Sequence, residues 1–320
     1  MFKGIRILPT ETKINFVKLR FITYLISSVL VFGSLATYFI KDLNYGIDFR
    51  GGIMMEIRTP APADLSNMRH QLSNLDLGDV ALQEYGSPQD ILIRLEQQKG
   101  GEKSQMVAVQ LIKDTLGSEI EYRRVESVGP KVGKELVSNS IQAILWALVA
   151  MLIYIWFRFE WQFGLCAIVA LAHDALTILG LYAVFDLEFN LTAIVGILIT
   201  IGYSINDTVV IYDRIRENLR KYKKKPVLEI INKSINETLT RTILTSSSTL
   251  LALFSLYFFG GEVIANYSLP ILVGVAVGTY SSIFLAAPLL LSFKLKVRKD
   301  IDPDMPDFNK IGAEKAAKKS

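Results

Sequence analysis

Long runs without charged side chains constrain this chain most, because about 20 apolar residues are enough to cross a bilayer as a helix. Four runs are uncharged and two more contain a single ionisable cluster; the six are 21–40, 136–157, 161–185, 189–212, 242–261 and 263–293. Lipid offers the backbone no hydrogen-bond partners, and the runs lack the two-residue alternation of barrel strands. We therefore predict a polytopic α-helical membrane protein with six transmembrane helices.

Composition excludes several classes of soluble protein. Hydrophobic residues make up 51% of the 320 and charged residues 21%, with a net charge of only +4, so no nucleic-acid-binding surface is indicated. The single cysteine, Cys166, and two histidines, His70 and His173, argue against disulfides and zinc. The chain contains no GxxxxGK[ST] phosphate loop. We expect a protein that is not an enzyme and that binds no cofactor or metal.

The basic residues predict the orientation in the membrane, since short cytoplasmic connections are rich in Lys and Arg. Segment 1–20 holds five of them and segment 213–241 holds nine, whereas the connections at 186–188 and at Glu262 hold none. Both termini are therefore predicted to be cytoplasmic. The tail 294–320 begins with basic residues and has too little apolar content to fold, so we expect a disordered cytoplasmic tail.

The connection between the first two spans, residues 41–135, is long enough for a folded domain on the outer side of the membrane. Alternation and helical periodicity predict strand, helix, strand, strand, helix and strand at 52–58, 63–75, 80–85, 90–95, 102–116 and 119–128. The order βαββαβ is that of a ferredoxin-like domain. Its two helices cover one face of the sheet, and we expect the other face to stay free for a partner.

Asp207 requires a reason to be in the membrane, because a charge in hydrocarbon costs several kcal/mol. It lies five uncharged residues before Asp213, or about 8–9 Å inside the cytoplasmic edge. Its helix face carries further hydroxyl groups at Thr200, Tyr203 and Ser204. Burial disfavours a charged carboxylate and a nearby cation favours it, so Asp207 beside Arg241 suits a proton relay. Alternatively, the two form a static ion pair that fixes helix register, or Arg241 is an interfacial anchor.

His173 and Asp174 form a second polar site, about 18 Å into the third span. Adjacent helical residues point about 100° apart, so we expect the two not to pair with each other. Their depth places them roughly 10 Å from Asp207 along the membrane normal. A role in proton movement and a role as polar glue between helices are both open.

Three motifs resemble a known family: YGIDFRGG at 45–52, VGPKVGKEL at 128–136 and SINDTVVIYDRIREN at 204–218. Together they are similar to the SecF family, the smaller accessory subunits of the bacterial Sec translocase, within the SecD/SecF family and the resistance-nodulation-division superfamily. The first two motifs contain Gly46, Asp48, Gly51, Gly52, Gly129, Pro130 and Gly133.

The resemblance implies a multi-pass protein of the bacterial inner membrane that pairs with SecD. It implies that inward proton flow drives motion of the outer domains and assists preprotein export through the SecYEG channel, with YajC as a further candidate partner. By position, the resemblance assigns Asp207 and Arg241 to proton conduction and includes the pair His173 and Asp174.

Two other functions are compatible with the same architecture. One is a proton-driven exporter of small molecules or lipids, which the single connection of 95 residues disfavours because such exporters usually carry two larger outer domains. The other is a scaffold that organises the translocase without conducting protons.

Overall fold

The computed structural model describes residues 12–98 and 100–293. Segment 1–11 of the predicted cytoplasmic amino terminus and the tail 294–320 lie outside the described residues. In chain order the elements are a 3₁₀ turn at Val17–Leu19, α1 Arg20–Lys41, β1 Asn44–Tyr45, α2 Ile47–Arg50, β2 Gly52–Arg58, α3 Leu65–Ser73, β3 Val80–Tyr85, β4 Ser87–Leu95, α4 Glu102–Leu116, β5 Glu121–Val128, α5 Pro130–Arg158, α6 Trp161–Val184, β6 Glu188–Phe189, α7 Leu191–Lys221, α8 Val227–Phe259, α9 Gly261–Ser281, a π-helix at Ser282–Ala286 and α10 Ala287–Leu289.

Six helices are long and apolar enough to span a membrane, which confirms the prediction of six spans. They are α1, α5, α6, α7, α8 and the helix that starts as α9. About half of the apolar stretch is buried in α6, α7 and α9 (56%, 50% and 50%), against 11% in each of α1, α5 and α8. Helices α6, α7 and α9 therefore form the centre of the bundle, where buried polar groups can meet.

The last predicted run is not one regular helix. Helix α9 contains Pro270 and passes into the five-residue π-helix before α10 begins. The Ser282 hydroxyl in that π-helix donates to the backbone oxygen of Ser204 (3.1 Å) and meets the Thr208 hydroxyl (2.8 Å), both on α7. Single π turns inside helices often mark functional positions. Here the turn brings extra hydroxyl groups against α7.

The domain between α1 and α5 has the predicted ferredoxin-like fold. Its antiparallel sheet has the order β3-β4-β2-β5, with α3 and α4 on one face. The core of that face includes Ile53, Met55, Ile57, Ile91, Ile93, Leu72 and Ile112. The helix predicted at 63–75 begins at Leu65 instead, because the Asp64 carboxylate caps it by accepting from the Ser66 and Asn67 amides at 3.0 Å. The strands predicted at 90–95 and 119–128 begin at Ser87 and Glu121.

The prediction of a free second sheet face is partly wrong. Met54 and Leu92 on that face are each only 7% exposed and pack around Ile47 of α2. The short helix α2 follows α1 and β1 in the chain and covers part of this face.

Candidate functional site

The Asp174 carboxylate lies at the centre of the bundle and is fully buried. Its Oδ2 accepts hydrogen bonds from the hydroxyls of Ser204 on α7 (2.5 Å) and Ser281 on α9 (2.8 Å). Its Oδ1 lies 2.9 Å from His173 Nδ1 on the same helix. One carboxylate therefore joins three helices. A buried carboxylate is tolerated in such a place only when donors surround it.

The expectation that His173 and Asp174 do not pair is wrong. The 100° separation applies to the directions in which side chains leave the helix. The imidazole is long enough to turn back towards the neighbouring carboxylate, and both side chains are buried, 3% and 0% exposed. His173 Nε2 has no hydrogen-bond partner among the residues that the structure describes, and its ring lies 6.2 Å from that of Tyr280. The imidazole is thus held through one nitrogen and keeps the other unpaired.

The Asp207 carboxylate forms a second buried acidic position, 3% exposed, on α7. Its contact is long: Ser246 Oγ of α8 lies 3.4 Å from Asp207 Oδ2, while the same hydroxyl is 2.7 Å from Thr279 Oγ1 of α9. Arg241 on α8 is exposed, and no salt bridge joins these two described residues. The structure therefore does not contain the static ion pair that the sequence left open.

The hydrogen-bond networks of the two carboxylates are neighbours on α7 and α9. Ser204, which donates to Asp174, lies three residues before Asp207 on α7, a rise of only ~4.5 Å. On α9, Thr279 bonds on the Asp207 side and Ser281 on the Asp174 side. Hydroxyl groups therefore lie between the two carboxylates, although no hydrogen bond between described residues links one set to the other.

Close packing of α9 against α7 creates this network. A Cβ added to Gly278 would lie 2.9 Å from the Ser204 Cβ, and one added to Gly274 would overlap the Thr200 side chain. Glycine at both positions therefore lets the two backbones approach, as in other glycine-mediated contacts between membrane helices. The approach places Ser281 within reach of Asp174.

Several buried polar atoms around the carboxylates have no partner among the described residues. They are His173 Nε2, Thr200 Oγ1, Tyr203 OH and Thr242 Oγ1. All four lie on α6, α7 and α8, the helices that carry the two carboxylates and Ser246. Carboxylates, an imidazole and hydroxyls can accept, hold and release a proton along such a network.

Sequence reasoning identified Asp174, His173 and Asp207 but not all of their partners. Ser246 lies within a run of hydroxyl residues on α8. Its hydroxyl also bonds to the backbone of its own helix, and four other members of the run bond to that backbone: Thr238, Thr245, Ser248 and Thr249. Ser281, Ser282 and Thr279 were missed. The available signal was the group of small and hydroxyl residues four to eight positions after Gly274.

The glycine-rich motifs meet at the end of the bundle nearest the folded domain. Asp48 Oδ2 accepts from the backbone amide of Leu191, the first residue of α7, at 2.9 Å. Gly46 donates its amide to Phe189 at 2.9 Å, and a Cβ there would lie 2.6 Å from Glu188 Oε1. Gly133 of α5 faces the backbone oxygen of Asp48, which a Cβ would approach to 3.4 Å.

The same motifs mark where the chain enters and leaves the domain. Gly51 and Gly52 have φ of 74° and 123°, which side chains rarely tolerate, at the start of β2. Gly129 precedes α5, which begins at Pro130. Burial raises the pKa of the nearby Tyr45 to about 12, so the phenol stays neutral at this junction.

Comparison with known proteins gives two family matches. Residues 108–296 match the family described as protein export membrane protein SecD/SecF, C-terminal, and residues 39–59 match the SecD/SecF GG motif. Neither description names a catalysed reaction.

Curated relatives extend the match over most of the chain. Protein translocase subunit SecF of Rickettsia rickettsii is 46% identical over 90% of this chain and 94% of its own length. The protein of the same name from Rickettsia bellii is 46% identical over 91% of this chain and 97% of its own length.

Solved structures agree with the fold. A crystal structure of SecDF, a translocon-associated membrane protein from Thermus thermophilus, is 32% identical with a TM-score of 0.78 over 90% of this chain. SecDF in its super-membrane-facing form is also 32% identical, with a TM-score of 0.65 over 96% of the chain. The chain spans 40% of the length of each of these structures. With its six helices, its ferredoxin-like domain and both family matches, this chain belongs to the SecD/SecF family of protein export membrane proteins.

Proposed function

We propose that this chain pairs with SecD and couples inward proton flow to movement of its folded domain, assisting preprotein export through the SecYEG channel. The observation that carries the proposal is the pair of buried carboxylates, Asp174 and Asp207, each surrounded by hydroxyls, which come from α7, α8 and α9. The name of the Rickettsia relatives and the SecDF neighbours support a place in the translocase.

The proposed orientation follows from the distribution of basic residues. The folded domain is extracytoplasmic, both termini are cytoplasmic and the membrane is the bacterial inner membrane. The long ends of α7 and α8 that carry Arg214, Lys221 and Lys233 then extend into the cytoplasm. YajC is a further candidate partner.

The proposed route uses the groups in order of depth. A proton entering from the domain side reaches the pair His173 and Asp174, where the unpaired Nε2 can accept it. It passes along the hydroxyls of Ser204 and Ser281 towards Asp207, and leaves past Arg241 on the cytoplasmic side. Neutralising Asp207 removes its attraction to Arg241, so α7 and α8 change their relative position with each proton.

The energy available is sufficient for a movement of this kind. One elementary charge crossing 100 mV releases about 2.3 kcal/mol. Two packings of a helix bundle that differ by a few kcal/mol can be interconverted by such a bias. Movement of the domain, rather than chemistry, is therefore the output.

The test replaces Asp207 by Asn in the complete translocase. Asp207→Asn keeps the size and the hydrogen bonding of the side chain but removes its proton exchange, so export that depends on the proton-motive force should be lost while the complex still assembles. Asp213→Asn is the matched control, since Asp213 is exposed on the same helix and pairs with Arg158 at 2.7 Å. Export at the control level by Asp207→Asn would favour the scaffold.

Co-purification distinguishes the remaining alternative. An affinity-tagged chain isolated in mild detergent should bring down SecD and channel subunits. If it is isolated as a homo-oligomer without them, the exporter function is favoured instead.

A further inference from the structure

Asp48 belongs to the motif that the proposed proton route leaves unused. It lies on the four-residue helix α2. Its carboxylate accepts a hydrogen bond from the amide of Leu191, the first residue of α7, which is 143 positions further along the chain. Asp207 lies on α7, 16 residues after Leu191, or about 24 Å along the helix axis. One continuous helix thus runs from Leu191, which Asp48 contacts, to Asp207.

The contact is not needed merely to start α7. Asn190 already caps the helix, because its Oδ1 accepts from the amides of Thr192 (3.1 Å) and Ala193 (3.2 Å). That local cap is the usual arrangement for a helix amino terminus. Asp48 therefore adds a connection between distant segments to a helix end that is already capped.

Several contacts attach α2 to the segment just before α7. The Phe49 and Phe189 rings stack with centroids 5.7 Å apart, and the Gly46 amide donates to the Phe189 oxygen at 2.9 Å. Strands β1 and β6 pair in parallel beside them, Asn44 with Glu188 and Tyr45 with Phe189. These contacts hold α2 beside the segment that precedes α7, and the Asp48 bond extends the attachment to α7 itself.

On its other side α2 leads directly into the domain. Gly51 and Gly52 follow it in left-handed backbone conformations and open strand β2. Beside the junction is a cavity of about 490 Å³ between the sheet and the membrane helices, lined in part by Met54, Arg124 and Tyr267. The domain is thus held at its root and has open space next to it, which leaves room for rotation about the glycines.

We propose that Asp48 is a positioning residue that ties the first turn of α7 to the root of the folded domain, so that displacement of α7 moves the domain. This inference rests on the proposed function, because it takes the displacement of α7 from protonation of Asp207. Asp48 contacts neither the proton nor the network around it; it acts through the amide of Leu191.

The test breaks the contact from either side. Asp48→Ala removes the acceptor. Leu191→Pro removes the donor, and proline is well tolerated at the first position of a helix. Asp48→Asn keeps an acceptor oxygen, and Asn190→Ala is the matched control that removes the local cap but leaves the connection.

Each variant is measured in the complete SecD-containing complex in proteoliposomes. Spin labels at Ser118→Cys in the domain and Val184→Cys at the end of α6, in a Cys166→Ala background, report the distance change between acidic and neutral pH. Infrared difference spectra report the protonation of Asp207 in the same samples.

The expected result is that Asp48→Ala and Leu191→Pro abolish the distance change and reduce export to the level of Asp207→Asn, while Asp207 still changes protonation. Asp48→Asn and Asn190→Ala should behave like the wild type. The inference is overturned if both disrupting variants keep the distance change, or if Asn190→Ala loses it as fully. Absence of any Asp207 protonation change in the wild type would instead contradict the proposed function itself.

Discussion

The close approach of α9 to α7 at Gly278 yields a quantitative prediction. A methyl group at this position would lie 2.9 Å from the Ser204 Cβ, about 0.5 Å short of ordinary contact. Forcing a methyl group into a packed interior costs about 1–3 kcal/mol, while exchanging Gly for Ala in a helix returns up to about 1 kcal/mol. Gly202 on α7 has nothing within 4 Å of an added Cβ, so Gly202→Ala gains the helix propensity of alanine without the cost of a steric clash.

The difference between the two variants isolates the packing. We predict that Gly278→Ala has a free energy of unfolding about 1–3 kcal/mol lower than Gly202→Ala, measured by titration with SDS in mixed micelles. Relieving the contact must separate α9 from α7, which disturbs the 2.5 Å bond from Ser204 to Asp174, so proton-dependent export should fall as well. Equal stability and equal export for the two variants would refute the account of the network.

Three further predictions concern single contacts. Ser246→Ala should lower proton-dependent export because it removes the hydroxyl that lies 3.4 Å from the Asp207 carboxylate. Ser247→Ala, at an exposed position next to it, should leave export unchanged, and equal export rates for the two variants would contradict the role of Ser246. Arg94 and Glu188 form an ion pair at 2.6 Å, so Arg94→Glu or Glu188→Arg alone should raise the rate of amide hydrogen exchange in the folded domain. The double variant, which restores opposite charges, should recover the protection from exchange. A double variant that exchanges as fast as the single variants would show that the ion pair does not hold the domain. Asn236→Ala should lower the free energy of unfolding of the bundle by about 1–3 kcal/mol, because the Asn236 side-chain amide bonds to Thr12 and Ile14, before α1, at 2.8–2.9 Å. An unchanged midpoint of unfolding in the SDS titration would contradict this prediction.

The spans and the domain topology were predictable because hydrophobic length and periodicity act locally. The strand Gly52–Arg58 and the helix Glu102–Leu116 match their predicted bounds. The start of α3 was misplaced because the capping carboxylate at Asp64 decides it, and apolar periodicity does not register a cap.

The acidic positions were also predictable, since a charge in an apolar run stands out. Their partners were not, because Ser281 and Thr279 reach the carboxylates only through the approach of α9 to α7. The pairing of His173 with Asp174 was missed because side-chain conformation decides it. The contact of Asp48 with the Leu191 amide joins segments 143 positions apart, which local sequence patterns do not predict.

The central claim is that a buried carboxylate changes its protonation as the protein changes conformation. Infrared difference spectroscopy of the reconstituted SecD-containing complex, titrated over pH with and without a proton gradient, tests it most directly. The account predicts a protonated-carboxyl band that appears and disappears in the wild type and is absent from Asp207→Asn. If the protonated-carboxyl band has the same intensity at every pH, with and without the gradient, or is absent under all these conditions, the claim is contradicted.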